Sequence, residues 1–253
     1  MKTLFSLLIL SLSLTVTQAT TIISTDGTDA ANLQSINIDG TVYSGSNLIG
    51  VDVTAFNMVI SGTQTFQIVP EGAGASQGVA ATGLLEDTSL TTGFAGLDSD
   101  TFSFLSPIEN RDGADAFIFE YSPTESATLN VTINGNTINI GSSPFTATGT
   151  TVDADLYRNT TTASTTIAIL ESITSWSHNQ TQNGSSIGYH AIDFSDYGVA
   201  DGASISELTL AGNNDWDITS VVGLAVVPEP SSVVLLLVGV CGFLLHNRSR
   251  RKG

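Results

Sequence analysis

The chain has 253 residues, 24 acidic side chains against seven basic ones and a formal charge of −17. Charged residues make up 12% of it, about half the usual share, while 41% is apolar, which argues against intrinsic disorder; no G-x-y period points to collagen. The acidity argues against nucleic acid as a partner, because a polyanion needs Lys and Arg to displace its counterions.

The N-terminus begins with a positive Lys2, continues as an apolar run from Leu4 to Leu14, and reaches Thr17-Gln18-Ala19. Small residues at −3 and −1 of a signal-peptidase site follow from that layout, with cleavage between Ala19 and Thr20. Residues 1–19 are therefore expected to be a secretory signal, handled by the Sec translocon and signal peptidase.

Between the ends, residues 20–226 are expected to form one exported domain. Thr20 to Val227 holds 23 acids and two cations, Arg111 and Arg158, hence −21, and no cysteine; the single Cys241 lies further on. A chain of this length buries enough surface to fold on its core alone, without disulfides.

Strand signals come in chain order. Ile36-Asn-Ile38, Asp39-Gly40 and Thr41-Val-Tyr43 predict a hairpin in which Ile36 opposes Tyr43. Strand-like runs follow over Leu48–Val53, Phe56–Ile60 and Thr65–Val69, then a Gly/Ala loop over Glu71–Gly83. Further runs are Thr101–Leu105 and Ala116–Tyr121, where Phe102, Phe104, Phe117 and Phe119 sit two apart as on a buried face. Leu129–Ile133, Asn134-Gly135 and Asn136–Ile140 predict a second hairpin, Ile133 facing Asn136, Val131 facing Ile138 and Leu129 facing Ile140. Thr146–Thr151 and Asn159–Thr166 are Thr-rich, and Thr166–Trp176 has weak helical spacing. Strand patterns return at Thr165–Leu170, Tyr189–Phe194, Ser204–Leu210 and Asp217–Val226. About a dozen short strands without alternating helices predict an all-β sandwich, jelly-roll-like by count.

Candidate chemistry is sparse. Asp98, Asp100, Asp112 and Asp115 lie near expected turns, where carboxylates supply the six to eight oxygens that Ca²⁺ takes, so they are the candidate metal site. Asp is also a turn former, and neither an EF-hand nor a Gly-Asp nonapeptide repeat is present. Trp176 and Trp216, beside Asn-rich loops, are candidate platforms for sugar rings; Trp216 equally suits a core. Nothing selects a catalytic set: no G-x-S-x-G elbow occurs, His178 sits in a polar loop, His190 in a strand-like run, and Glu109 and Glu120 would imitate a glycosidase dyad only if the fold brought them together. No enzyme is expected.

The C-terminus carries an apolar run, Val233–Leu245, that is thirteen residues long and reaches membrane-spanning length, about 231–246, only with its neighbours. Arg248, Arg250, Arg251 and Lys252 follow it and by the positive-inside rule stay cytoplasmic. Before it stands Val227-Pro228-Glu229-Pro230-Ser231-Ser232. This tail, Val227 to Gly253, resembles a PEP-CTERM sorting domain. The resemblance implies an inner-membrane intermediate in a Gram-negative-type bacterium and processing at the motif Val227, Pro228, Glu229, Pro230 by an exosortase, a membrane-embedded cysteine protease. It also implies release or transfer to the cell surface among extracellular polysaccharide and biofilm matrix. The expected function is that of a non-enzymatic surface or matrix protein; a Ca²⁺-dependent carbohydrate-binding module is the alternative, a secreted hydrolase the third.

Overall fold

The computed structural model describes residues 20–26, 32–52, 57–60, 65–72, 89–90, 93–95, 97–124, 128–159, 164–166 and 176–226. Among these the chain is all-β and the sheets are antiparallel. In chain order the strands are β1 (Thr21–Asp26), β2 (Asn32–Ile38), β3 (Thr41–Ser44), β4 (Leu48–Ile49), β5 (Val51–Asp52) and β6 (Asn57–Ile60). There follow β7 (Thr65–Pro70), β8 (Gly93–Ala95), β9 (Leu97–Glu109), β10 (Ala116–Tyr121), β11 (Thr128–Ile133) and β12 (Asn136–Ser142). The last are β13 (Thr146–Asn159), β14 (Ser164–Thr166), β15 (Ser177–Ile192), β16 (Ser204–Trp216) and β17 (Ile218–Leu224).

Three sheets result. β1-β2-β3 form a small one; β4-β17-β10-β15-β13-β7-β8 form the second; β12-β11-β16-β9-β6-β14 form the third, with β5 also paired to β9. Two cores separate them. Phe102, Phe104, Val131, Ile133, Leu208 and Leu210 of the third sheet meet Ile118, Ile192 and Val221 of the second. On the second sheet's other face Phe117, Phe119, Tyr121, Leu156 and Val222 meet Leu33 and Ile36 of the small sheet. The second sheet is thus a middle layer, and its central strands β10 and β17 are buried on both faces. Their near-continuous apolar runs, AFIFEY and ITSVVGL, have that cause. The small sheet thus adds a second core to the one between the two large sheets. Phe102 and Phe104 face one core, Phe117 and Phe119 the other.

A bulge lets β17 serve both cores. Phe119 pairs with Ser220 and Glu120 with Ile218, so Thr219 is skipped and the side-chain alternation changes phase. Gly223 is required on this strand because a Cβ there would collide with the Ile108 side chain.

Both predicted hairpins form. Ile36 pairs with Tyr43 across Asp39-Gly40, and Ile133 with Asn136 across Asn134-Gly135. All four turn residues have positive φ, 51° and 92°, 52° and 78°, as a type I′ turn demands. The register expected further along β11 is corrected: Leu129 pairs with Gly141, not Ile140, because a bulge lies between Leu129 and Asn130. Gly141 takes φ +89° there, and its N–H donates to Asn139 Oδ1 at 2.7 Å. The run Leu48–Val53 divides at Gly50, β4 pairing with β17 of the middle sheet and β5 with β9 of the third. Strand β13 and the first half of β15 occupy stretches for which the sequence pattern predicts no strand. The helical spacing over Thr166–Trp176 falls mostly outside the described residues, with Thr166 closing β14.

Candidate functional site

Among the candidate metal ligands, Asp100 lies apart from Asp112 and Asp115. Asp100 lies near the start of β9, 2% exposed, on the inward face with Phe102 and Phe104, and its Oδ1 accepts the Thr101 N–H at 2.6 Å. Asp112 is exposed in the connection after β9, with Asp115 at its end. Asp100 pairs with Leu210 and Glu109 with Ser204, six residues apart on β16, which is about 20 Å at the usual rise. Asp98 lies on β9 beside Asp100. Among the described residues no group of three His, Cys, Asp or Glu side chains is placed to hold a metal.

Asp115 instead organises backbone. It is fully buried; Oδ1 accepts the Arg111 N–H at 3.0 Å and Oδ2 the Phe194 N–H at 2.8 Å. Both oxygens therefore face the positive ends of N–H dipoles, which compete with a cation for the same lone pairs. Burial raises its pKa to about 6, with a smaller push from Asp193, against the lowering effect of the two N–H donors and Arg111. Arg111 in turn donates from Nη2 to the Leu224 carbonyl at 2.9 Å and stacks 5.5 Å over the Tyr43 ring, joining β17 to the small sheet.

The tryptophans are not an exposed pair. Trp216 is 1% exposed, packed 5.4 Å from Phe145 within the core between the large sheets, so its ring face is closed to a sugar. Trp176 is half-buried against the same core. Sequence alternation, Trp216 followed by Ile218 of β17, already carried this core reading.

A polar node missed in the sequence centres on Asp155 of β13. Oδ1 accepts the Thr181 hydroxyl at 2.6 Å and lies 3.2 Å from His178 Nε2; Oδ2 accepts the Gly72 N–H at 3.0 Å. Burial opposes ionisation, but these donors outweigh it and hold the carboxyl below the usual aspartate pKa. The only signal for the node is the alternation Asp153-Ala-Asp155 and the spacing His178-x-x-Thr181. Thr181 Oγ1 and Asp155 meet the same imidazole nitrogen, 3.3 and 3.2 Å away. A hydrolytic triad places the carboxylate and the nucleophile on opposite ring nitrogens, so these three residues lack that order. Their chemistry is anchoring: they tie the end of β7 to β13 and β15. Asp155→Ala strands the donors and is expected to cost about 2 kcal/mol, read as a lowered urea midpoint with unchanged m. His178→Ala, whose side chain is half exposed, is expected to cost under about 1 kcal/mol.

His190 is held by Pro144, whose carbonyl is 3.1 Å from Nδ1, and burial pushes its pKa down. Glu120 is fully buried near the end of β10 and Glu109 is exposed at the end of β9, on different sheets. The sorting residues Val227, Pro228, Glu229 and Pro230, the tail run and residue Ala19 lie outside the described residues; Thr20 lies just within them. Among the described residues no helix is long and apolar enough to cross a membrane. Compared with known protein families, curated proteins and solved structures, the chain shows no match.

Proposed function

We propose that this chain is an exported, exosortase-processed surface or matrix protein, whose acidic β domain is a non-enzymatic, jelly-roll-like sandwich. The observation that carries this reading is the order of parts in the tail: Val227-Pro228-Glu229-Pro230, the apolar run to Leu245 and the cluster from Arg248 to Lys252, opposite an N-terminal signal. Two prolines fix φ and keep the motif extended, and Glu229 resists entry into lipid, so a protease at the membrane surface has an accessible substrate.

The fold supports the same boundaries. The first strand starts at Thr21 and the last ends at Leu224, so trimming after Ala19 and near Val227 removes no described strand. Cleavage after Ala19 would also turn the Thr20 nitrogen into an ammonium, and Asp39 Oδ1 already stands 2.8 Å from it. The jelly-roll label rests on strand order. β4-β17-β10-β15 face β9-β16-β11-β12, the four-on-four arrangement of two interleaved Greek keys, with the small sheet added outside.

The test is a sorting variant carrying Pro228→Ala, Glu229→Ala and Pro230→Ala together. It is expected to accumulate in the membrane fraction with its terminal arginines, whereas the wild-type chain is found trimmed outside the cell. Identical fractionation of the two would overturn the reading.

A further inference from the structure

The outer face of the third sheet carries an ordered polar surface that neither the fold nor the sorting role uses. Thr137 pairs with Thr132, Thr132 with Thr209, and Thr209 with Thr101, so one rank of threonines crosses β12, β11, β16 and β9. Adjacent hydroxyls bond at 2.7 Å (Thr132–Thr137) and 2.8 Å (Thr101–Thr209). At the usual strand spacing the rank is about 14 Å long. In the neighbouring rank Asn139 and Asn130 are polar, and Ala211 lies between Asn130 and Ser99.

A cleft of about 330 Å³ opens on this rank, lined by Thr132, Asn134, Ser204, Ser206, Glu207 and Thr209 among others. The pairing of β16 with β9 is irregular beside it: Ile205 pairs with Ile108 but Glu207 with Ser103, so four residues of β9 stand against Ser206 alone, and Ser206 and Glu207 are both exposed. Hydroxyls donate and accept, the Asn134 amide does both, and Glu207 only accepts. The lining includes no cation, and an anion would meet Glu207 on a chain at −17, so the cleft repels phosphate, sulfate and uronate groups. A neutral polyol satisfies the whole donor and acceptor set without placing charge.

We infer that this cleft and its threonine rank bind a neutral polysaccharide, without metal and without either tryptophan. The inference does not rest on the sorting role, and its failure leaves that role untouched.

The test is native electrophoresis of the full chain, kept in an amine-oxide detergent because glycoside detergents would compete, through gels containing dextran, mannan, xylan or polygalacturonate. At least one neutral polymer is expected to cut mobility at least two-fold, independently of EDTA, while polygalacturonate does not. Thr132→Val with Thr209→Val keeps the β-branched shape, removes two hydroxyls and is expected to restore free mobility. Glu207→Gln, at an exposed position, is expected to weaken retardation even if the double variant is unstable. Unchanged mobility with all three neutral polymers overturns the inference, as does retardation that persists in both variants. Retardation by polygalacturonate equal to that by the neutral polymers also overturns it. Concentration-dependent self-association that both variants abolish, without retardation, would assign the face to a second copy of the chain and equally overturn it.

Discussion

Trp216→Ala is expected to lower folding stability by about 3–5 kcal/mol, the usual cost of removing a large buried aromatic. The indole is 1% exposed, lies against Phe145 and leaves so little room that a Cβ on Gly212 would collide with it. It also stands at the end of β16, just before β17 enters the middle sheet, so the cavity would open where the chain passes between layers. For a domain of about 200 residues the melting midpoint should fall by roughly 6–20 °C. Retardation by neutral polysaccharide, measured below that midpoint, should be unchanged. A sugar platform would give the reverse: an unchanged midpoint and lost binding.

Asp115→Asn is the second large effect and has a pH signature. The carboxyl holds two N–H groups, of Arg111 and Phe194, and an amide offers one oxygen where two are needed. One buried donor is left without its acceptor, costing about 1–3 kcal/mol at pH 7. The wild-type side chain has a folded pKa of about 6 against an ordinary 3.8. The folded state therefore holds this proton more tightly than the unfolded state. Its contribution to stability is greatest below pH 4, declines as pH rises to about 6, and is level above that, with a slope of at most about 1.4 kcal/mol per pH unit. Asp155 acts in the opposite sense at lower pH. Its pKa is depressed, so its contribution is present above about pH 4 and is lost on further acidification. Urea midpoints of Asp115→Asn should lack the decline between pH 4 and 6 and keep the acid loss below it. A midpoint that falls between pH 4 and 6 by as much in the variant as in the wild type would remove Asp115 as the cause.

How much of this was legible in the sequence depended on where a strand lies. Both I′ hairpins were readable because Asn-Gly and Asp-Gly carry positive φ locally, whatever surrounds them. Strands β10 and β17 were readable from apolar runs, but that composition does not say how many layers cover them, so the third sheet was missed. The long polar ribbon of β13 and the first half of β15 gave no strand signal. In β15 only Ile187, Gly188 and Ile192, toward its end, are buried, and the stretch SHNQTQ at its start is largely exposed and polar on both faces. It is a strand because β13 pairs with it over Thr146–Arg158, a tertiary cause with no period of its own.

The candidate sites divide in the same way. The acids read as calcium ligands were chosen for proximity in sequence, but a strand as long as β9 carries neighbours apart, and Asp115 is bound to backbone that only folding brings to it. The Asp155 node joins residues 72, 155, 178 and 181. The threonine rank joins residues 101, 132, 137 and 209 through three pairings. Neither lies in one stretch, so no motif announces it. The proposed sorting tail would be the opposite case, a linear element read from its order of residues without a fold.

Intact mass of material recovered from outside the cell examines the export account at both ends at once. The account expects a polypeptide that begins at Thr20 and has lost everything beyond the Pro228–Pro230 motif. A full-length C-terminus, with Arg248, Arg250 and Arg251 still attached to extracellular protein, would contradict it.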